Sequence, residues 1–168
     1  MKSSRAIVDD STLKQLRADL MRHEGRVVDQ DGQHKMYRCP LGAPTIGYGR
    51  NLRDNPLSVG EQIHIFEKLG CRLTEEAALY LLDNDIKDSR DWLLKNYPWV
   101  ADFKPDQQRG LINMVFQLGA KSFSGFKRSL EHLQERNWVE AGRRLRQSLW
   151  YGQTPKRAEE VIQLIEKG

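Results

Sequence analysis

The 168-residue chain has only two cysteines, Cys39 and Cys71, and neither belongs to a CxxC or paired Cys/His spacing. That excludes a zinc centre on a cysteine framework, and because cytosolic disulfides are rare, two reduced thiols are expected. His23 and His34 have no third ligand at useful spacing, so no metal and no cofactor are expected. No apolar run approaches the ~20 residues that span a bilayer. The opening MKSSRAIVDDSTLKQ lacks the apolar core and small-residue cleavage site of a secretory signal, which predicts a protein made and held in the cytoplasm with no membrane anchor. Internal repeats, low-complexity segments and flexible linkers are missing as well. Strong charge is also missing: a net +4 suits an anionic polymer as partner but does not choose among nucleic acid, a membrane surface and a cell wall. What is present, 39% hydrophobic and 30% charged residues, is the composition of an ordered globular domain.

Helical spacing dominates the chain. Ser11 is expected to cap a helix whose Leu13, Leu16, Leu20 and Met21 share a face, with Gly25 as its stop. From Arg26 to about Arg53 that period vanishes. Gly32, Gly42, Gly47 and Gly49, Pro40 and Pro44, and the pieces RVV, KMYR and TIGYG predict a small antiparallel sheet, with DQDGQ as a hairpin tip. Helices resume at Ser58, running to about Gly70, and at Thr74, which caps a long segment with Ala78, Leu81, Leu82 and Ile86 in register. PDQQRGLINMVFQLG is apolar almost all round and predicts a central helix. Phe126, Leu130 and Leu133 mark another, Asn137 with Glu140 opens one that ends near Leu149, and Thr154-Pro155 starts the last. The expectation is an α+β, mostly helical single domain over 1–168. Residues 1–72 would form an N-terminal helix and small β lobe, 73–95 a connecting helix, and 96–168 a helical lobe.

Glu24 stands in the last turn of its helix, at the negative end of the helix dipole, where a carboxylate is an unwelcome neighbour and a proton donor is at home. An exposed, idle helix-end glutamate fits that position equally well. The residues that follow shift the balance: Glu24-Gly25, then Cys39, then Thr45-Ile-Gly-Tyr-Gly49, with five residues between Cys39 and Thr45. This pattern resembles the active-site signature of phage-type lysozymes, the endolysins related to the lysozyme of T-even coliphages. INMVFQLG (112–119), GFKRSL (125–130) and WYGQTPKRAEEVI (150–162) resemble later segments of the same family, so the likeness runs from about Leu13 to Ile162.

The resemblance implies a lysozyme-like two-lobed fold and hydrolysis of the β-1,4 bond between N-acetylmuramic acid and N-acetylglucosamine in peptidoglycan. It implies Glu24 as general acid, Thr45 as the residue positioning water, and Arg157 as the arginine that supports the glutamate. Gly47, Tyr48, Asn113 and Gln117 are candidate substrate-binding residues; for Asn113 and Gln117, hydrogen bonds to core backbone are the plainer expectation. Two departures from the family stand out. The Glu24–Cys39 interval is longer than usual, which predicts a lengthened hairpin around DQDGQ, and the middle position is a cysteine rather than an aspartate. A thiol near a carboxylate is mostly neutral, which suits a nucleophile or a polar group that orients water. Asp29 or Asp31 could supply a second carboxylate, but both read as turn residues.

As an endolysin the chain would be a monomer, held in the host cytoplasm until a holin-type pore releases it to the periplasmic cell wall, with peptidoglycan as partner and no specific nucleic acid. A Cys39–Cys71 disulfide formed after release could silence it. The alternatives are a lytic transglycosylase, a catalytically silent glycan-binding or scaffolding module, and, least supported, a nonspecific nucleic-acid binder. GRRLRQ (142–147) is a basic patch or a solvated helix face.

Overall fold

The computed structural model describes residues 8–40, 42–65 and 73–168. It is α+β and mostly helical. Helix α1 (Asp10–Glu24) precedes strands β1 (Tyr37–Arg38), β2 (Pro44–Ile46) and β3 (Arg50–Asn51). Then come α2 (Val59–Ile63), α3 (Glu75–Asn96), a 3-10 turn (Pro98–Asp102), α4 (Pro105–Ser124), α5 (Lys127–Gln134), α6 (Trp138–Arg146), α7 (Leu149–Gln153) and α8 (Pro155–Glu166). Two compact units result: Arg17–Ile86, and Met1–Leu16 together with Lys87–Gly168. Helices α1 and α3 each pass from one unit into the other. Among the described residues no helix is long and apolar enough to cross a membrane.

Several helix boundaries follow local chemistry. Ser58 and Glu61 form a reciprocal capping box on α2, Thr74 Oγ1 accepts the Ala77 N–H at 3.1 Å, and Asn137 accepts the Glu140 N–H. The start of α1 differs from expectation. Asp9, not Ser11, accepts the Thr12 N–H at 2.7 Å, because the helix already includes Asp10 and a cap must stand three residues before the amide it satisfies. Gly119 interrupts α4 with φ 75°, and helix continues to Ser124. The later part of the helix expected from Ser58 to Gly70 lies outside the described residues.

The Arg17–Ile86 unit carries the antiparallel sheet in the order β1-β2-β3, with Tyr37 opposite Thr45 and Ile46 opposite Arg50. Ile46, Ile65, Ala77 and Leu81 form its core under Leu52, Leu57, Leu73 and Tyr80. In the other unit α4 is buried from Gln107 to Val115, Arg109 excepted, and again at Phe123. Gly110 lets it approach α8 closely, since a Cβ there would stand 3.2 Å from the Val161 carbonyl oxygen. Trp92, Tyr97, Phe123, Trp99, Phe103 and Trp138 pack as a chain of edge-on and tilted rings. The arginines of GRRLRQ are matched at home, Arg143 and Arg144 by Glu140 and Arg146 by Glu159 and Glu166, so the segment is an ion-pair network rather than an open basic patch.

A buried charge cluster pins the sheet to α2 and α3. Arg50 donates in a fork to Glu61 at 2.7 and 3.2 Å and to Asp85 at 2.9 Å, while Asn84 and Asn55 each donate to one of the carboxylates. Burial opposes ionisation of Glu61, but hydrogen bonds from Arg50, Asn84 and the Ser58 N–H outweigh it and hold its pKa down at about 2. Burial pushes Asp85 up; Arg50 offsets only part of this, and the Glu61 charge adds to it. One guanidinium thus serves two carboxylates unequally. A depressed pKa stabilises the fold fully above the unfolded value, near 4.5, and that contribution is lost as pH falls towards 2. Glu61→Gln should lower the unfolding free energy by about 3 kcal/mol near neutral pH and flatten its acid dependence, whereas Asp85→Asn should cost under ~1 kcal/mol. Urea titrations of both variants across pH check this; equal costs would contradict the unequal sharing.

Candidate active site

Gly25, with φ 65° and its N–H on the Met21 carbonyl at 3.1 Å, ends α1 directly after Glu24. The chain then makes the hairpin tip expected from DQDGQ. Asp29 Oδ1 accepts the N–H groups of Asp31 and Gln33, both at 2.9 Å, and Val28 bridges to His34. Asp29 is thereby spent on its own turn, and Asp31 is exposed on it. Cys39 is half-buried just after β1. Its N–H donates to the Ala43 carbonyl at 3.0 Å and its carbonyl accepts the Gly42 N–H at 2.7 Å, a closure that delivers the chain into β2. Thr45, in the middle of β2, is 2% exposed and donates its hydroxyl proton to the Ala43 carbonyl at 3.1 Å, leaving the oxygen lone pairs as acceptors. Cys71 lies outside the described residues, and with it the Cys39–Cys71 pairing.

The turn from β2 to β3 is seated on two sides. Gly47 lies against Ala78 of α3. Tyr48 is buried and its hydroxyl donates to Glu75, which also takes hydrogen bonds from the buried His34 at 2.6 Å and from Arg26 at 2.9 Å. Burial opposes ionisation of Glu75, but these three donors outweigh it and hold the carboxyl below the ordinary glutamate range. Gly49 faces Glu24. A Cβ at residue 49 would lie 2.6 Å from Glu24 Oε2 and 3.1 Å from its Cδ, so it would displace that side chain, and φ is 81°, which favours glycine.

One neighbour of Glu24 escaped the sequence reading. Tyr37 is half-buried and stands opposite Thr45 in the β1–β2 ladder. Burial pushes its phenol up, Glu24 and Cys39 push it the same way, and the Gly49 N–H, hydrogen-bonded to the phenol oxygen, pulls it down. Its only sequence signal was its place two residues before Cys39, hence on the same strand face.

The remaining predicted residues belong to the other unit. Asn113 Oδ1 accepts Arg157 Nε and Nη2 at 3.1 and 3.0 Å. Gln117 accepts the Trp150 indole N–H at 2.9 Å and donates to Thr154 at 3.2 Å. Both amides on α4 thus bind side chains of the α7–α8 segment. Among the described residues no group of three or more His, Cys, Asp or Glu side chains is arranged to hold a metal ion.

The phage lysozyme family model matches residues 28–160. The chain belongs to the phage lysozyme family. Cys39, Thr45, Asn113, Gln117 and Arg157 lie inside the matched segment, and Glu24 just before it. The chain is 46% identical over 157 residues to probable T4-type lysozyme 2 of Dictyostelium discoideum, covering 83% of this chain and 90% of the relative. It is 29% identical over 153 residues to probable T4-type lysozyme 1 of the same organism, with the same coverage. It is also 30% identical over 154 residues to the pre-baseplate central spike protein of Enterobacteria phage T4, of which it spans 26%.

The contact between Glu24 and Gly49 makes a prediction for this member of the family. Gly49→Ala should cost about 3 kcal/mol of stability, but only ~1 kcal/mol in a Glu24→Ala background, where the backbone penalty alone remains. Urea midpoints of the four proteins measure the difference; additive costs would mean that Glu24 does not occupy the Cβ position.

Proposed function

We propose that the chain is an endolysin that hydrolyses the β-1,4 bond between N-acetylmuramic acid and N-acetylglucosamine in peptidoglycan. The observation that carries this reading is the Glu24 carboxyl packed on the bare α-carbon of Gly49, in the same unit as the Cys39–Thr45 turn, in a chain of the phage lysozyme family. A backbone surface free of side chains beside a carboxyl is what a glycan chain needs to bring a glycosidic oxygen within reach of a proton donor.

In this reading Glu24 gives its proton to the leaving O4 of N-acetylglucosamine as the bond from the muramic anomeric carbon breaks. A water oxygen then bonds to that carbon and its proton returns to a carboxylate base. Thr45 suits the holding of water: its proton is committed to the Ala43 carbonyl, so its oxygen accepts from a water whose lone pair is left for attack. Cys39 is assigned a water-orienting role beside it. Arg157 supports Glu24 as the resemblance implies. Gly47, Tyr48, Asn113 and Gln117 are assigned to the glycan, with Tyr48 acting through its backbone because its hydroxyl is committed to Glu75.

The biological setting is part of the same proposal: a monomer kept in the host cytoplasm, released through a holin-type pore and acting on the periplasmic wall, with no cofactor. Identity to a phage spike protein and to Dictyostelium proteins supports the glycosidase reading more strongly than the lytic setting.

The test is digestion of purified peptidoglycan with mass spectrometry of the released muropeptides. Wild type should yield reducing muramic ends. Glu24→Gln should be slower by about a thousandfold, the scale of general acid catalysis. Cys39→Ser, which still orients water but is a far weaker nucleophile, should stay within about tenfold of wild type. Anhydro-muramic ends would indicate a transglycosylase, and intact glycan from folded protein a binding module.

A further inference from the structure

The turn that faces Glu24 reads Gly47-Tyr48-Gly49, so Tyr48 supplies its only side chain. Both glycines have positive φ, 56° and 81°, and glycine brings little stiffness of its own. The turn's side-chain tie is therefore the one that Tyr48 makes. Its hydroxyl donates to Glu75 Oε1 at 2.5 Å. The other oxygen of that carboxylate accepts Arg26 Nη1 at 2.9 Å and His34 Nε2 at 2.6 Å. Arg26 stands two residues after Glu24, and Tyr48 one residue before Gly49. Glu75 thus bridges the same two backbone segments that meet where Glu24 packs on Gly49. His34 steadies the bridge from behind. Its side chain is fully buried, its backbone N–H donates to the Leu73 carbonyl at 2.7 Å, and its ring stands edge-on to Tyr48 with centroids 5.2 Å apart. Its Nδ1 is buried with no hydrogen-bond partner among the described residues, so Glu75 is the ring's one polar tie there.

We propose that Glu75 is a positioning residue for the proton donor: by clamping Tyr48 to Arg26 it fixes the Gly49 turn against the segment that carries Glu24, and so sets where that carboxyl meets the glycosidic bond. The inference rests on the muramidase reading and adds to it a residue that acts through Tyr48 and Arg26 and on no reacting atom. Charge makes the clamp effective. An ionised carboxylate accepts several donors at once, and its three donors keep Glu75 ionised against burial. The consequence for turnover is geometric, since a displacement of ~1 Å from the productive position can cost about a hundredfold in rate. The long interval between Glu24 and Cys39 takes part as well. His34 lies in it, paired with Val28 across the hairpin, and ties that hairpin to the same carboxylate.

The experiment compares kcat and KM of wild type, Tyr48→Phe, Glu75→Ala and the double variant on soluble, uncrosslinked glycan strands, well below the melting temperature of each protein. Tyr48→Phe keeps the ring beside His34 and removes only the hydroxyl, which opens the clamp without emptying the cluster. It should lower kcat about tenfold, with KM within about twofold. Glu75→Ala should lower kcat at least as much, and adding Tyr48→Phe to it should lower kcat no further, because the bond is already gone. If Glu75→Ala does not fold, Tyr48→Phe alone decides. Wild-type kcat beside a lowered melting temperature would mean a stabilising role only. A raised KM at unchanged kcat would mean a contact to sugar, and losses that multiply in the double variant would mean that the two residues act separately. Each of these results overturns the proposal. Strands left intact by wild type would overturn the muramidase reading and the positioning role with it; failure at Glu75 alone is distinguishable because wild type then still turns over.

Discussion

The geometry around Glu24 depends on one steric constraint: the position where residue 49 would carry a side chain is already filled by the glutamate carboxyl. With the Cβ site 2.6 Å from Oε2, any residue but glycine would displace the Glu24 carboxyl from this position. The backbone at Gly49 has φ 81°, and its bare face receives Glu24. A carboxyl held this way has a fixed direction without being sealed behind side chains, which is the condition for handing a proton to a polymer that must slide past.

Two electrostatic anchors, one on either side of Gly49, keep the turn in place. Tyr48 is tied down through Glu75, which three donors hold ionised against the pull of burial. Arg50 is tied down through Glu61 and Asp85. Burying a guanidinium with two carboxylates is not an efficient route to stability, since desolvation consumes much of the Coulombic gain. It does fix direction, because a bidentate fork admits one orientation. In this protein the charges flank the glycine that faces Glu24, so rigidity of the turn is the benefit they bring.

Much of the fold was legible because helix ends are local. Ser58 with Glu61, Thr74 and Asn137 each cap within three residues, and the sheet was expected where helical period fails. Asp9 was overlooked because Ser11 offers the same chemistry two residues later, and only the first helical turn decides between them. Gly119 breaks α4 without ending it, its φ of 75° open to glycine at little cost. In the site, the spacing from Cys39 to Thr45 could be read, but the packing of Glu24 on Gly49 joins positions 25 apart and leaves no local trace. Tyr37 was missed for a related reason: a tyrosine on a short strand is ordinary, and its meaning comes from a register and a glycine amide that only the folded chain supplies.

The measurement that tests the central assignment most directly is a crystal structure of Glu24→Gln soaked with a muropeptide tetrasaccharide. With Glu24 as the proton donor, the scissile glycosidic oxygen should lie within about 3 Å of the residue-24 side chain, with the sugar passing over the bare face of Gly49. A tetrasaccharide ordered elsewhere on the protein, with the Gly49 face unoccupied, would contradict it.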